Sequence, residues 1–192
     1  MRDIDRARAE RAVREFLTAL GHSVDDPDLR DTPRRVVDAY ADELLTGYAV
    51  DVRALLSEGQ AVAAGAQSGI VALSGIALST ICPHHLLLSH GSATVAYRPG
   101  ARLFGLGTLS ALLAAFARRL SLQEAIGENV VQALVEYGGA RGAYCEIHLS
   151  HGCLVARGPR EAKSELVTTA RAGDVDTSEL LLALRTSAEL RR

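Results

Sequence analysis

The sequence predicts an α+β domain built around an antiparallel sheet. Three observations carry this. Helical and strand periodicities fall in blocks: two helices, two strands, two helices, further strands and a last helix. The strand blocks read as hairpins, with turn residues between alternating runs. A chain of 192 residues, 48% of them hydrophobic, is long enough to bury one real core.

Taken in order, residues 3–20 place Ile4, Ala12, Val13, Phe16, Leu17 and Leu20 on one helical stripe. Residues 21–30 are a loop rich in Asp and broken by Pro27. Asp31 or Thr32 then caps a second helix, with Pro33 in its first turn. Its apolar positions are Val36, Val37, Tyr40, Leu44 and Leu45, and Gly47 ends it. Residues 50–68 are small and Ala-rich, without a pattern that assigns them. Strand alternation begins near Ile70 (IVALSGIAL) and resumes in SATVAYR after a Ser89-His90-Gly91 turn. Helical spacing returns through Leu109, Leu112, Leu113 and Phe116. It returns again from Ser121 through Ile126, Val130, Val131 and Leu134, until Gly138 and Gly139. Residues 143–149 alternate as a strand, LVARG (154–158) begins another, and residues 177–190 form a Leu-rich helix. The expected division is an N-terminal helical region, 1–50, and an α+β domain, 51–192.

Composition excludes several functions. Lys and Arg number 21 against 23 Asp and Glu, a net charge of -2, so no bulk field draws the chain to nucleic acid or an anionic membrane. Aromatic residues make up 4% and Trp is absent, which argues against a base-stacking platform. No apolar run approaches the roughly 20 residues of a spanning helix. The charged N-terminus has no apolar core of a secretory signal. Three cysteines do not make a disulfide framework, and a cytoplasmic protein is expected.

The chemistry concentrates at two points. Cys82-Pro83-His84-His85 closes the first strand run, and His151-Gly152-Cys153 lies at a later strand end. Two thiolates with one or two imidazoles suit zinc, and three protein ligands would leave one position for water. The alternative is that both cysteines are small buried hydrophobes and the histidines are loop residues. Cys145, within an alternating strand, reads as core; His22, His90 and His148 read as surface or satisfied positions. Gln123 and Glu124 are the second point. Ser121-Leu122-Gln123-Glu124 fits a capping box, in which Glu124 would only return to the Ser121 backbone. Arg157 and Arg160, near the second cysteine motif, and Arg34 and Arg35 either hold an anion or lie solvated.

These pieces together resemble the GTP cyclohydrolase I family, a group of zinc enzymes with the tunnelling fold. The resemblance runs from about Asp31 to Thr169. It rests on Cys82-Pro83-His84-His85, Gly91-Ser92-Ala93-Thr94-Val95-Ala96-Tyr97-Arg98-Pro99, Gly105-Leu106, Leu122-Gln123-Glu124, His151-Gly152-Cys153 and Ala156-Arg157-Gly158. It implies an antiparallel sheet with two consecutive helices on one face and an N-terminal helical extension. It implies zinc (Zn2+) on Cys82, His85 and Cys153, and acid/base roles for His84 and His151. Gln123 and Glu124 would anchor a guanine, and Arg35 and Arg157 match the family's arginines. The implied reaction opens the imidazole ring of a purine at C8 and releases formate, taking GTP to dihydroneopterin triphosphate. The implied assembly is a homodecamer of two pentameric rings, with sites between subunits.

The chain departs from the family where the triphosphate is read. Gly-Leu-Ser-Lys is here Gly105-Leu106-Gly107-Thr108, a following arginine is Ala111, and a lysine of the first motif is Asp38. A glutamate between the first Cys and the histidines is Pro83. At about 1–3 kcal/mol per charge-assisted contact, such losses weaken a triphosphate grip by several kcal/mol unless Arg118, Arg119 or Arg160 compensates. Two alternatives follow: an enzyme for a purine with fewer phosphates, or a zinc-holding purine- or pterin-binding protein without turnover.

Overall fold

The structure, a computed structural model, describes residues 3–58, 60–61, 69–176, 178–180 and 183–184. Its centre is a four-stranded antiparallel sheet in the order β2-β3-β5-β6, formed by β2 (Val71–Ile81), β3 (Leu88–Arg98), β5 (Gly142–His151) and β6 (Leu166–Gly173). A short pair, β1 (Gln60–Ala61) with β4 (Arg102–Leu103), stands apart. Helices α4 (Leu106–Ala117) and α5 (Gln123–Glu136) are consecutive and cover one face, as expected. Strand periodicity sends Val95 and Tyr97 of β3, with Cys145, Ile147 and Leu149 of β5, to that face. There they meet Leu109, Leu112 and Leu113 of α4 and Ile126, Val130 and Leu134 of α5, all essentially buried. Cys145 is fully buried in this core, and burial pushes its thiol up to about 12.

The N-terminal region behaves differently from the core. Helix α1 (Arg6–Ala19) is capped by Asp5, whose side chain accepts from the Arg8 backbone N–H, yet it buries no residue. Phe16 and Leu20 stay more than half exposed. Its tie to the next segment is ionic: Arg6 pairs with Asp38 at 3.1 Å and with Asp42 at 3.0 Å. Helix α2 (Thr32–Asp38) runs on into a π-helical turn (Ala39–Leu44) and a 3-10 turn (Thr46–Ala49). Gly47 serves close approach: a Cβ there would sit 2.4 Å from the Ala115 carbonyl oxygen of α4.

Several sequence expectations are corrected. The unassigned stretch 50–68 contains α3 (Val52–Ser57), capped by Asp51 and burying Val52 and Leu56; residues 59 and 62–68 lie outside those described. Ser89, His90 and Gly91 are not a turn but lie inside β3. The reversal occurs earlier, where Leu86 N–H donates to the Cys82 carbonyl at 2.9 Å and Cys82 N–H to the Leu87 carbonyl at 3.0 Å. LVARG is not a strand: it falls on a short helix, α6 (Gly152–Val155), and the loop after it. The strand that completes the sheet, β6, was not anticipated. The expected terminal helix, 177–190, lies largely outside the described residues, of which 178–180 and 183–184 are helical. No helix among the described residues is long and apolar enough to cross a membrane.

The other face of the sheet carries a polar row. Tyr144 O–H donates to Glu146, Glu146 Oε1 lies 2.8 Å from His148 Nε2, and His148 Nδ1 lies 3.1 Å from Glu165. His148 is thus satisfied, as expected. Its bond to Glu146 raises its pKa most, burial opposes this, and Glu165 adds to the rise. Burial pushes Glu146 up, but its bonds from Tyr144 and His148 outweigh this and leave it low. The raised histidine stabilises the fold fully below its ordinary value of 6.5, and this is lost as pH climbs through the raised value. The lowered carboxylate stabilises it fully above 4.5, and this is lost as pH falls through the lowered value. Partial exposure keeps the effect under about 1 kcal/mol. Thermal melts should therefore show wild type ahead of His148→Gln by most between those two values, with the gap closing as pH climbs through the raised histidine value. A gap that widens toward alkaline pH contradicts this account.

Candidate metal centre and active site

The turn from β2 to β3 builds half of the centre. Its two backbone bonds hold Cys82 and His85 close, with Cys82 Sγ 3.9 Å from His85 Nδ1. Leu86 takes a left-handed backbone (φ 54), uncommon for a branched side chain, and Tyr40 O–H secures its carbonyl at 2.8 Å. The other half comes from α6, which begins directly after β5 and carries Cys153. The donor atoms of Cys82, His85 and Cys153 all lie within 4.8 Å of one another. A tetrahedral zinc site with Zn–S ~2.3 Å and Zn–N ~2.0 Å has ligand edges of about 3.5–3.8 Å. The Cys82–His85 pair nearly meets this already, and two sulfurs with one imidazole are a donor set zinc favours. The three residues fit the ion.

His84 is exposed beside His85, with ring centroids 6.3 Å apart in an edge-on arrangement. His151 ends β5, two residues before Cys153, and both its ring nitrogens have partners. Nε2 is 2.8 Å from Gln123 Oε1 and Nδ1 is 3.0 Å from Ser89 Oγ. Burial lowers the His151 pKa, while the Glu124 carboxylate works the other way.

Gln123 and Glu124 open α5, but no capping box forms. The N-cap is Leu122 and makes no side-chain cap bond. Glu124 is exposed and forms no side-chain hydrogen bond among the described residues. Its first-turn position also suits a carboxylate near the positive end of the helix dipole. Gln123 is 2% exposed, and both amide hydrogens are spent on the Ile147 and Leu166 carbonyls, at 2.8 and 3.0 Å. A guanine contact through that amide nitrogen is therefore closed, and its remaining capacity is at Oε1.

The basic residues are not gathered. Arg35 is exposed and pairs with Asp31 at 3.1 Å, and Arg157 is exposed in the loop after α6. Asp38 takes Arg6 and Arg34, at 3.1 and 3.2 Å. Arg119 is engaged in packing: its Nε donates to the Ala115 and Gly47 carbonyls, and its guanidinium lies over Phe116 and Tyr48. A groove between β2 and α4, lined by Ser79, His90, Ser110 and Arg118, contains none of the cluster residues.

Sequence reasoning missed Ser89. It is fully buried and pairs in register with His151 across β3 and β5. The available signal was its parity with Ala93, Val95 and Tyr97, which puts a hydroxyl on the core-facing side of the strand.

Comparison with known proteins agrees with this geometry. The sequence model of the GTP cyclohydrolase I family matches residues 9–185. The chain is 40% identical over 174 residues to GTP cyclohydrolase 1 of Leifsonia xyli subsp. xyli, covering 91% of this chain and 90% of that one. It is 36% identical to GTP cyclohydrolase 1 of Chromobacterium violaceum, over 92% of this chain and 84% of the relative. It is also 36% identical to that of Mycobacterium ulcerans, over 92% and 86%. With its antiparallel sheet, its two consecutive helices on one face and its Cys-His-Cys cluster, the chain belongs to the GTP cyclohydrolase I family.

Proposed function

We propose that this protein is a zinc-dependent GTP cyclohydrolase I, which hydrates C8 of GTP, opens the imidazole ring, releases formate and yields dihydroneopterin triphosphate. The observation that carries the reading is the convergence of Cys82, His85 and Cys153, from two distant segments, on one point, with His151 two residues before Cys153 in the chain. Zinc held there supplies a Lewis acid that activates water at neutral pH. Everything else falls to the chain. The Glu124 carboxylate accepts from the ring N–H and exocyclic amino group of guanine, fixing the base by two charge-assisted bonds. His151, whose pKa burial lowers, moves protons on and off the ring nitrogens, exchanging its bond to Ser89 or Gln123 for the substrate as it does so. His84 stands exposed on the metal turn as the second proton carrier. Arg157, and Arg35 once released from Asp31, contribute charge for the phosphates.

The functional form is a homodecamer of two rings with sites between subunits, in the cytoplasm. Two features support assembly. The edge strands β2 and β6 leave backbone groups for pairing, with Leu166 and Val167 exposed beside one of them. The apolar stripe of α1 buries no residue among those described, and its Phe16 and the adjoining Leu20 stay exposed.

The test is a purine panel. Purified protein with GTP should lose purine absorbance and release formate in equal amounts, and stop when a chelator removes the metal. GMP, guanosine and guanine serve as rivals. Turnover that prefers one of them would replace GTP as substrate, and metal binding without formate from any would leave only a binding protein.

A further inference from the structure

The hydrogen bonds around His151 have a direction that the backbone imposes. Gln123 Nε2 lies 2.8 Å from the Ile147 carbonyl oxygen and 3.0 Å from that of Leu166. Carbonyl oxygens only accept, so the amide nitrogen must face them; the flipped amide would set three acceptors against one another. Gln123 Oε1 therefore points at His151 Nε2, 2.8 Å away, and it too can only accept. His151 Nε2 must carry the hydrogen. A neutral imidazole has one N–H, so its lone pair lies on Nδ1, where Ser89 Oγ sits at 3.0 Å and donates. Thr80, opposite Ser89 in the β2–β3 register, does not compete: its buried hydroxyl has no hydrogen-bond partner among the described residues. Ser89 is 0% and Gln123 2% exposed, so water does not stand in for either.

We propose that Ser89 and Gln123 are positioning residues that hold His151 in one rotamer as its Nε2–H tautomer, leaving Nδ1 as the ring atom that carries the lone pair. Neither need touch the substrate. Gln123 acts through Nε2, its amide locked by two strands of the sheet, and Ser89 acts through Nδ1 from the adjacent strand. The inference rests on the reading of His151 as the proton carrier of the cyclohydrolase.

Two measurements test it on the zinc-loaded full chain. In protein labelled with 15N-histidine, with the His151 signals identified by their loss in His151→Asn, Nε2 should resonate as a pyrrole-type and Nδ1 as a pyridine-type nitrogen. In Gln123→Leu that distinction should average toward a mixture. In kinetics with GTP, Ser89→Ala should lower kcat about tenfold with KM within about twofold, and Ser89→Thr, which keeps the hydroxyl, should recover most of the loss. Ser89→Ala removes a single oxygen, and its melting temperature and zinc content serve as controls on folding. An Nδ1–H ring in the wild type overturns the proposal. So does a Ser89→Ala enzyme with unchanged kcat, or one whose defect lies in KM. The nitrogen assignment needs no turnover, so a wild type inert toward GTP would sink the cyclohydrolase reading while the ring state still decides this one.

Discussion

Cys153→Ala is expected to empty the metal centre and lower formate release from GTP by at least about a thousandfold. The remaining pair, Cys82 and His85, belongs to a single turn, and His85 is exposed to competing water. Two ligands on one turn chelate a divalent ion far more weakly than three drawn from both sides. Without the ion, water returns toward its ordinary, far weaker acidity and supplies almost no hydroxide at neutral pH. The fold should survive, because Cys153 is only partly buried on a four-residue helix. Elemental analysis beside a formate assay is the measurement. A variant that keeps one zinc per chain would remove Cys153 from the ligand set.

His151→Asn is expected to separate metal from chemistry. Zinc content should stay at the wild-type level, while kcat falls by roughly 10²–10⁴, the usual range for losing a general acid–base group. A structural cost should accompany this. Asparagine reaches the Nδ1 position beside Ser89 but not Nε2, so the buried amide oxygen of Gln123 loses its partner, at about 1–3 kcal/mol. The melting temperature should drop by several degrees. Full activity would show that proton transfer runs through another group, with His84 the first to examine.

Much of the centre was legible because its chemistry is local. Cys82 with His85, and His151 with Cys153, are each close enough in sequence to be seen as pairs, and the donor types suit zinc. The core helices were legible for a similar reason: Leu109, Leu112 and Phe116 repeat at helical spacing. The strand β6 was not. LVTTARAG offers small and polar residues on both faces, and Ala170 and Ala172 pack against the core without a hydrophobic signature of their own. The short helix α3 hid in Ala-rich sequence, and only its Asp51 cap announced it. Ser89-His90-Gly91 looked like a turn by composition, because register with β5 is a tertiary fact that propensity does not contain. The same register gives Ser89 its partner. Glu124 was ambiguous between cap and anchor; the helix starts at Gln123 with Leu122 as its N-cap, which removes the capping box and leaves the anchor role a proposal.

The two sulfurs reach one another only through the pairing of β3 with β5, because one precedes the first of these strands and the other follows the second. An emerging chain therefore has nowhere to seat the ion until the sheet has zipped past Ser89 and His151. On the proposed zinc reading, loading would come late in the life of the molecule and would then act as a clasp: by mass action, an ion bound only to the closed sheet draws the population away from opened forms. Scarcity of zinc would accordingly register as a looser strand end, and not solely as idle enzyme.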